Sequence, residues 1–179
     1  TKASKEASQR GIEAAEIARG LVPGRSRRFA FEDLASFDAE AWDALRTANC
    51  PHATSILFHG FDRDAGAIRI STSNAARAGV GNISRFTCQP ISMLHPPDGP
   101  TGLVLVNPPY GARIGNKKML YALYASLGET LKERFGGWRV GLVTSEAGLA
   151  RATDLPFEPP GAPVPLGGLK IRLYRTGVL

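Results

Sequence analysis

The chain has 179 residues, 43% of them hydrophobic, a length that suits one domain with a substantial core. No apolar run approaches the roughly 18 residues of a membrane span, and the polar, basic segment 1–10 lacks the apolar centre of a signal peptide. Lysine and arginine outnumber aspartate and glutamate by 22 to 16, a net charge of +6; clusters at Arg25, Arg27 and Arg28 and at Lys117 and Lys118 suit either a polyanion or an ordinary solvated surface.

In chain order, apolar residues at Ile12, Ala15 and Ile17 predict a helix over 12–21 that ends near Gly20 and Pro23. A basic turn over 23–28 follows. Asp38 is placed to cap a helix carrying Trp42 and Leu45, which stops before Pro51. The run 55–61 reads as a buried strand with Asp62 at its carboxyl end. Residues 65–78 read as a helix closed by Gly79 and Gly81, with Asp64 as its cap. A short strand over 83–88, a Pro/Gly loop over 96–102 and a buried strand over 103–106 come next.

A long helix is expected over 118–135, with Leu120, Leu123, Tyr124, Leu127 and Leu131 on one face and Gly136-Gly137 at its end. Residues 138–144 form another strand. After a Pro-rich stretch over 156–165, residues 169–174 alternate apolar and basic, as a half-exposed antiparallel edge strand does. Strands alternating with helices predict an α/β fold: a Rossmann-like, doubly wound, mostly parallel sheet with helices on both faces and a C-terminal antiparallel edge strand. Such sheets bind ligands beyond the carboxyl ends of their strands. Asp62 and Asn107 both stand there.

The most informative residues are Asn107-Pro108-Pro109-Tyr110. Proline fixes φ and donates no N–H, so this loop is stiff and its carbonyls stay free. Asn107 adds an amide carbonyl and two N–H donors, and Tyr110 a flat ring. Together they can grip a planar base by its exocyclic amine; on their own, the four residues also fit an ordinary loop. A carboxylate such as Asp62, at the end of the strand over 55–61, suits ribose hydroxyls. Cys50 and Cys88 lie in unlike contexts, which argues against a disulfide framework and fits a reducing cytoplasm. His52, His59 and His95 lack metal-ligand spacing, so no metal site is expected.

The chain resembles the catalytic domain of class I S-adenosylmethionine-dependent methyltransferases. Within that class it resembles most the bacterial family that methylates the N2 amine of guanosine in large-subunit ribosomal RNA. The resemblance spans residues 11–174. It rests on Gly11-Ile12-Glu13-Ala14-Ala15, Pro23-Gly24-Arg25, Phe58-His59-Gly60-Phe61-Asp62, Asn74-Ala75-Ala76-Arg77-Ala78-Gly79, Asn107-Pro108-Pro109-Tyr110-Gly111-Ala112-Arg113 and Phe135-Gly136-Gly137-Trp138. The extension through Gly111 and Arg113 points to the RNA family rather than to DNA adenine methylases.

The resemblance implies that Asp62, Gly11, Gln89 and Asn107 serve the cofactor S-adenosylmethionine. It implies that Asn107 and the Pro108 carbonyl accept the target amine's hydrogens, with Pro109 completing the loop and Tyr110 stacking on the flipped base. Arg113, Lys117 and Arg25 would meet RNA. Neither a metal nor a covalent enzyme intermediate is needed, because positioning and electrostatics carry the catalysis. The family also carries an N-terminal THUMP RNA-binding module, which these residues do not include; residues 1–10 would be a linker remnant and 11–179 the methyltransferase domain.

Two departures stand out. In the family a strand and an Asp-Pro-x-Cys-Gly-Ser-Gly loop precede the helix that begins near Gly11. Residues 1–10 hold no apolar run and no glycine, so the sequence is expected to be discontinuous ahead of Gly11. Cys88-Gln89-Pro90 also stands where relatives have an acid that contacts adenine. Two other readings use the same residues: methylation of a different amine (adenine in DNA, glutamine in protein), or an RNA-binding domain without catalysis.

Overall fold

The computed structural model describes residues 2–48, 51–110, 117–166 and 168–179, with side chains from Arg10 onward. Among them lie five helices of the α type: α1 (Lys2–Ala18), α2 (Ala39–Ala48), α3 (Ala65–Arg77), α4 (Lys117–Arg134) and α5 (Ala147–Ala152). Six strands accompany them: β1 (Phe58–Asp62), β2 (Ser84–Cys88), β3 (Leu103–Val106), β4 (Arg139–Thr144), β5 (Val164–Leu166) and β6 (Leu169–Val178). The expected α/β pattern is present, divided between a parallel sheet and a mixed one, so parallel and antiparallel strand pairings are equal in number among the described residues. β1 and β2 pair in parallel as a two-stranded sheet. The other sheet runs β3-β4-β6-β5, parallel between β3 and β4 and antiparallel beyond.

Local chemistry explains the helix starts. The Asp64 carboxylate accepts from the Gly66 amide at 2.8 Å, capping α3. Asp38 accepts from the Ala41 amide at 2.9 Å at the start of α2. Both caps use an acceptor to satisfy an amide that a first helical turn leaves open. Gly79, in the left-handed region at φ 75°, ends α3.

Two cores result. The larger joins α4, α5 and the four-stranded sheet through Leu120, Tyr124, Leu127, Leu131, Leu142 and Leu149 among others. Here β4 is buried at every residue after Arg139, as a central parallel strand should be. Gly128 lets α4 approach α5: a Cβ there would lie 1.8 Å from the Thr153 carbonyl oxygen. The smaller core is Ile12, Ala15, Ala75, Val80 and Ile83, where α1 and α3 meet the β1–β2 sheet. The short turn Ile91–Met93 links the halves by packing on α4. The Arg134 guanidinium donates to the Ser92 and Leu94 carbonyls at 3.0 and 3.1 Å.

Several expectations change. The strand expected over 55–61 is shorter, and Ile56 and Leu57 are 56% and 55% exposed. Neither β1 nor β3 is a buried strand. β1 alternates between half-buried and exposed, and Leu103 and Leu105 of β3 are 60% and 52% exposed. Among the described residues each pairs on one side alone, β1 with β2 and β3 with β4. The helix expected from Ile12 begins at Lys2 instead. The C-terminal antiparallel strand is β6, and short β5 pairs outside it, so an antiparallel hairpin makes the sheet edge.

Candidate methyl-transfer site

Asp62 closes β1 and Asn107 follows β3, each at a carboxyl strand end. One Asp62 carboxylate oxygen accepts from the Asp64 amide at 2.9 Å, which orients the side chain. The Gln89 amide donates to the Asp62 carbonyl at 2.9 Å, tying the ends of β1 and β2 together. That amide is therefore committed, leaving Gln89 its carbonyl and side chain for a ligand. Gly11, in α1, lines a cavity of about 120 Å³ together with Phe61, Asp62, Ser71 and Phe86. This volume is well below the roughly 300–1,000 Å³ typical of a small-molecule pocket.

The loop after β3 is better defined. Pro108 is buried, and Asn107, Pro109 and Tyr110 are half-buried. The Asn107 Oδ1 atom is buried and, among the described residues, has no hydrogen-bond partner. An unpaired buried acceptor costs about 1–3 kcal/mol, so it calls for a donor. Tyr110 packs against the larger core. Tyr124 of α4 is fully buried, and its hydroxyl donates to the Pro109 carbonyl at 3.3 Å. Burial pushes the Tyr124 hydroxyl up to about 12, against a weaker downward pull from a Thr144 hydrogen bond. It thus stays protonated at any working pH.

The expected nucleic-acid residues fare differently. Arg25 is drawn into a structural role: it pairs with Glu16 at 2.7 Å and donates to the Val22 and Ala78 carbonyls. A guanidinium at these carbonyls favours the end of α3, and it leaves Arg25 little capacity for RNA. Lys117 opens α4 and is exposed. Arg113 lies outside the described residues. Tyr124 and Thr144 escaped the sequence reading, where Tyr124 counted as a core residue. The signal was a tyrosine on an otherwise aliphatic helix face, because a buried hydroxyl needs a partner.

Residues 11–156 match the UPF0020 family, described as RMKL-like, methyltransferase domain. The chain belongs to that family. It is 40% identical over 153 residues to the ribosomal RNA large subunit methyltransferase K/L of Allochromatium vinosum, covering 80% of this chain and 20% of that protein. Its likeness to the enzyme of the same name from Marinobacter nauticus is 38% over 153 residues, covering 80% and 21%. Thus the chain spans about one fifth of the length of these curated relatives.

Among solved structures, a possible methylase from Clostridium difficile 630 superposes with a TM-score of 0.84 at 25% identity, covering 94% of this chain and 45% of that one. A putative methyltransferase complexed with SAH gives 0.83 at 25% identity, covering 92% and 44%. A methyltransferase domain calls for a methyl donor, and S-adenosylmethionine is the one expected here. The residues present fit its nucleoside end: a carboxylate for ribose hydroxyls at a strand end, beside an apolar cavity.

Proposed function

We propose that this domain transfers a methyl group to the exocyclic N2 amine of guanosine in large-subunit ribosomal RNA. The observation that carries the reading is the Asn107 Oδ1 acceptor, buried and unpaired at the end of β3, within a loop whose two prolines donate no N–H. An amine hydrogen is the complement of such an acceptor. The relatives' name as ribosomal RNA methyltransferases, the net charge of +6 and the Gly111-Ala112-Arg113 extension favour RNA.

The bound cofactor supplies an electrophilic methyl group on a sulfonium. Asn107 Oδ1 and the Pro108 carbonyl accept the two amine hydrogens. That holds the lone pair out of conjugation with the ring and directs it outward. Tyr110 stacks on the base, which must leave its helix at a cost of a few kcal/mol. Asp62 holds the ribose of the cofactor, and Gly11 and Gln89 border the same end. Lys117 and Arg113 meet phosphate. The chemistry is positioning and electrostatics. An RNA substrate of this kind implies a cytoplasmic setting, with a THUMP module choosing the target.

The methionine end of the cofactor needs more than these residues supply. We infer that one parallel strand and a glycine-bearing turn ahead of Gly11 insert between β1 and β3, joining the sheets and completing the cavity. The unpaired edges of β1 and β3 and the exposed Leu103 and Leu105 support this reading. Intact-mass measurement tests it: a polypeptide no heavier than these 179 residues removes it. For the reaction, tritiated methyl transfer to unmodified ribosomal RNA with nucleoside analysis is decisive. Label in N2-methylguanosine is expected; label in N6-methyladenine or in protein assigns another amine, and no label with retained RNA binding leaves a binding domain.

A further inference from the structure

Two consecutive prolines create a mechanical problem. Neither Pro108 nor Pro109 has a backbone N–H, so at these positions the loop can be anchored through its carbonyls alone. The donor must come from elsewhere in the fold. α4 supplies it: the Tyr124 hydroxyl donates to the Pro109 carbonyl at 3.3 Å. Since a carbonyl can only accept, the Tyr124 proton lies on that bond, and its oxygen is left to accept. Thr144, at the carboxyl end of β4, lies near enough to act on the Tyr124 hydroxyl electrostatically. The Thr144 oxygen in turn accepts from the Glu146 amide at 3.2 Å.

Tyr124 and Thr144 are both fully buried. A hydrogen bond in such a low-dielectric interior is stronger than one in water. A phenylalanine would fill the same space on α4, so the hydroxyl serves something other than packing.

We propose that Tyr124 is a positioning residue for methyl transfer. Its hydroxyl locks the Pro109 carbonyl inward, leaving Asn107 Oδ1 and the Pro108 carbonyl as the pair that holds the target amine. No described residue donates to the Pro108 carbonyl. The inference rests on reading this loop as the amine-holding site. Burial also keeps the Tyr124 proton in place well into alkaline solution, so the lock is not pH-gated in the working range.

Tyr124→Phe in the full-length polypeptide removes one oxygen and keeps the ring. Its kcat is expected to fall by roughly ten- to a hundredfold, the scale of a small misplacement of reacting groups, while KM for cofactor and for RNA stays within about twofold. Thr144→Val, which leaves the Tyr124–Pro109 bond in place, should lower kcat less than Tyr124→Phe. A purely structural role predicts full kcat once the assay is run well below the melting temperature; that result overturns the proposal. If the unaltered protein methylates an amine other than guanine N2, the substrate reading falls, while the kcat ratio on that amine still decides this one. If it transfers no methyl group at all, the carbonyl-13C resonance of Pro109 decides. It must move on Tyr124→Phe, and an unmoved resonance overturns the proposal.

Discussion

The β3–β6 half and the β1–β2 half are built from the same β/α alternation, yet they differ in how much they bury. The first sets α4 and α5 on a four-stranded sheet around a core of large side chains. The second has two strands, two helices and a core of alanine, valine and isoleucine. A two-stranded sheet is marginal without further packing. β4, paired on both sides, is buried almost throughout, whereas β1 and β3, each paired on one among the described residues, expose alternate residues. The lesson is that strand neighbours alone do not decide burial: β6 also pairs on both sides, with β4 and β5, yet is largely exposed. The proposed site divides the same way: the Asn107–Tyr110 loop stands on the well-packed half, and Asp62 stands on the sparse one.

The largest expected effect falls on the loop. Asn107→Ala should lower methyl transfer by about a hundred- to a thousandfold, as loss of a preorganised polar group in an active site does. Calorimetric affinity for S-adenosylhomocysteine should stay unchanged, because Asp62 belongs to the other half; unchanged activity would remove Asn107 from the mechanism. Next is Gly128→Ala. A Cβ in place of that hydrogen meets backbone, which cannot swing aside, so a loss of about 3 kcal/mol in denaturant unfolding is expected. An unaltered midpoint would mean that the α4–α5 approach is looser than described.

Amide exchange compares the halves directly. β1 and β2 amides should exchange at least about tenfold faster than those of β4, since local opening follows buried contact. Equal rates would merge the halves into one cooperative unit. Alkaline unfolding sharpens the comparison further. The Tyr124 pKa is raised from 10.0 to about 12, so its contribution is complete below pH 10.0 and is lost as pH rises from there through about 12. Tyr124→Phe should flatten that decline, measured by melting temperature against pH.

The smallest effect concerns Asp154, whose carboxyl Lys132 holds below the usual carboxylate range through a 2.6 Å ion pair. Stability from that shift would be present above the ordinary carboxylate pKa and lost on acidification. Asp154 is 88% exposed and its φ is 53°, so the water-screened pair adds little and the backbone favours glycine. Asp154→Gly should therefore leave the melting temperature unchanged; a clear drop would show that the ion pair matters.

Much of the fold was legible because its signals are local. Asp38 and Asp64 announce helix starts, Gly79 a helix end, and four apolar residues before Asn107 a strand. The candidate site was legible for the same reason: Asn107, the prolines and Tyr110 are contiguous, and Asp62 closes a readable strand. Short elements were not legible. α5 spans six residues and β5 three, too few for periodicity to emerge. Arg25 was misleading because its charge is local, while its partners Glu16 and Ala78 are brought to it by the packing of α1 against α3.

The sequence by itself determined most of the segments that become strands and helices and singled out the loop proposed to hold the amine, because caps, glycines and prolines act within a few residues. Tertiary structure alone decided that β1 and β3 are, among the described residues, each paired on one side, that Arg25 braces α1 against the end of α3, and that Tyr124 reaches the Pro109 carbonyl. Those outcomes depend on groups far apart in the chain, and a hydrogen bond or a buried face exists only once folding has placed both partners together.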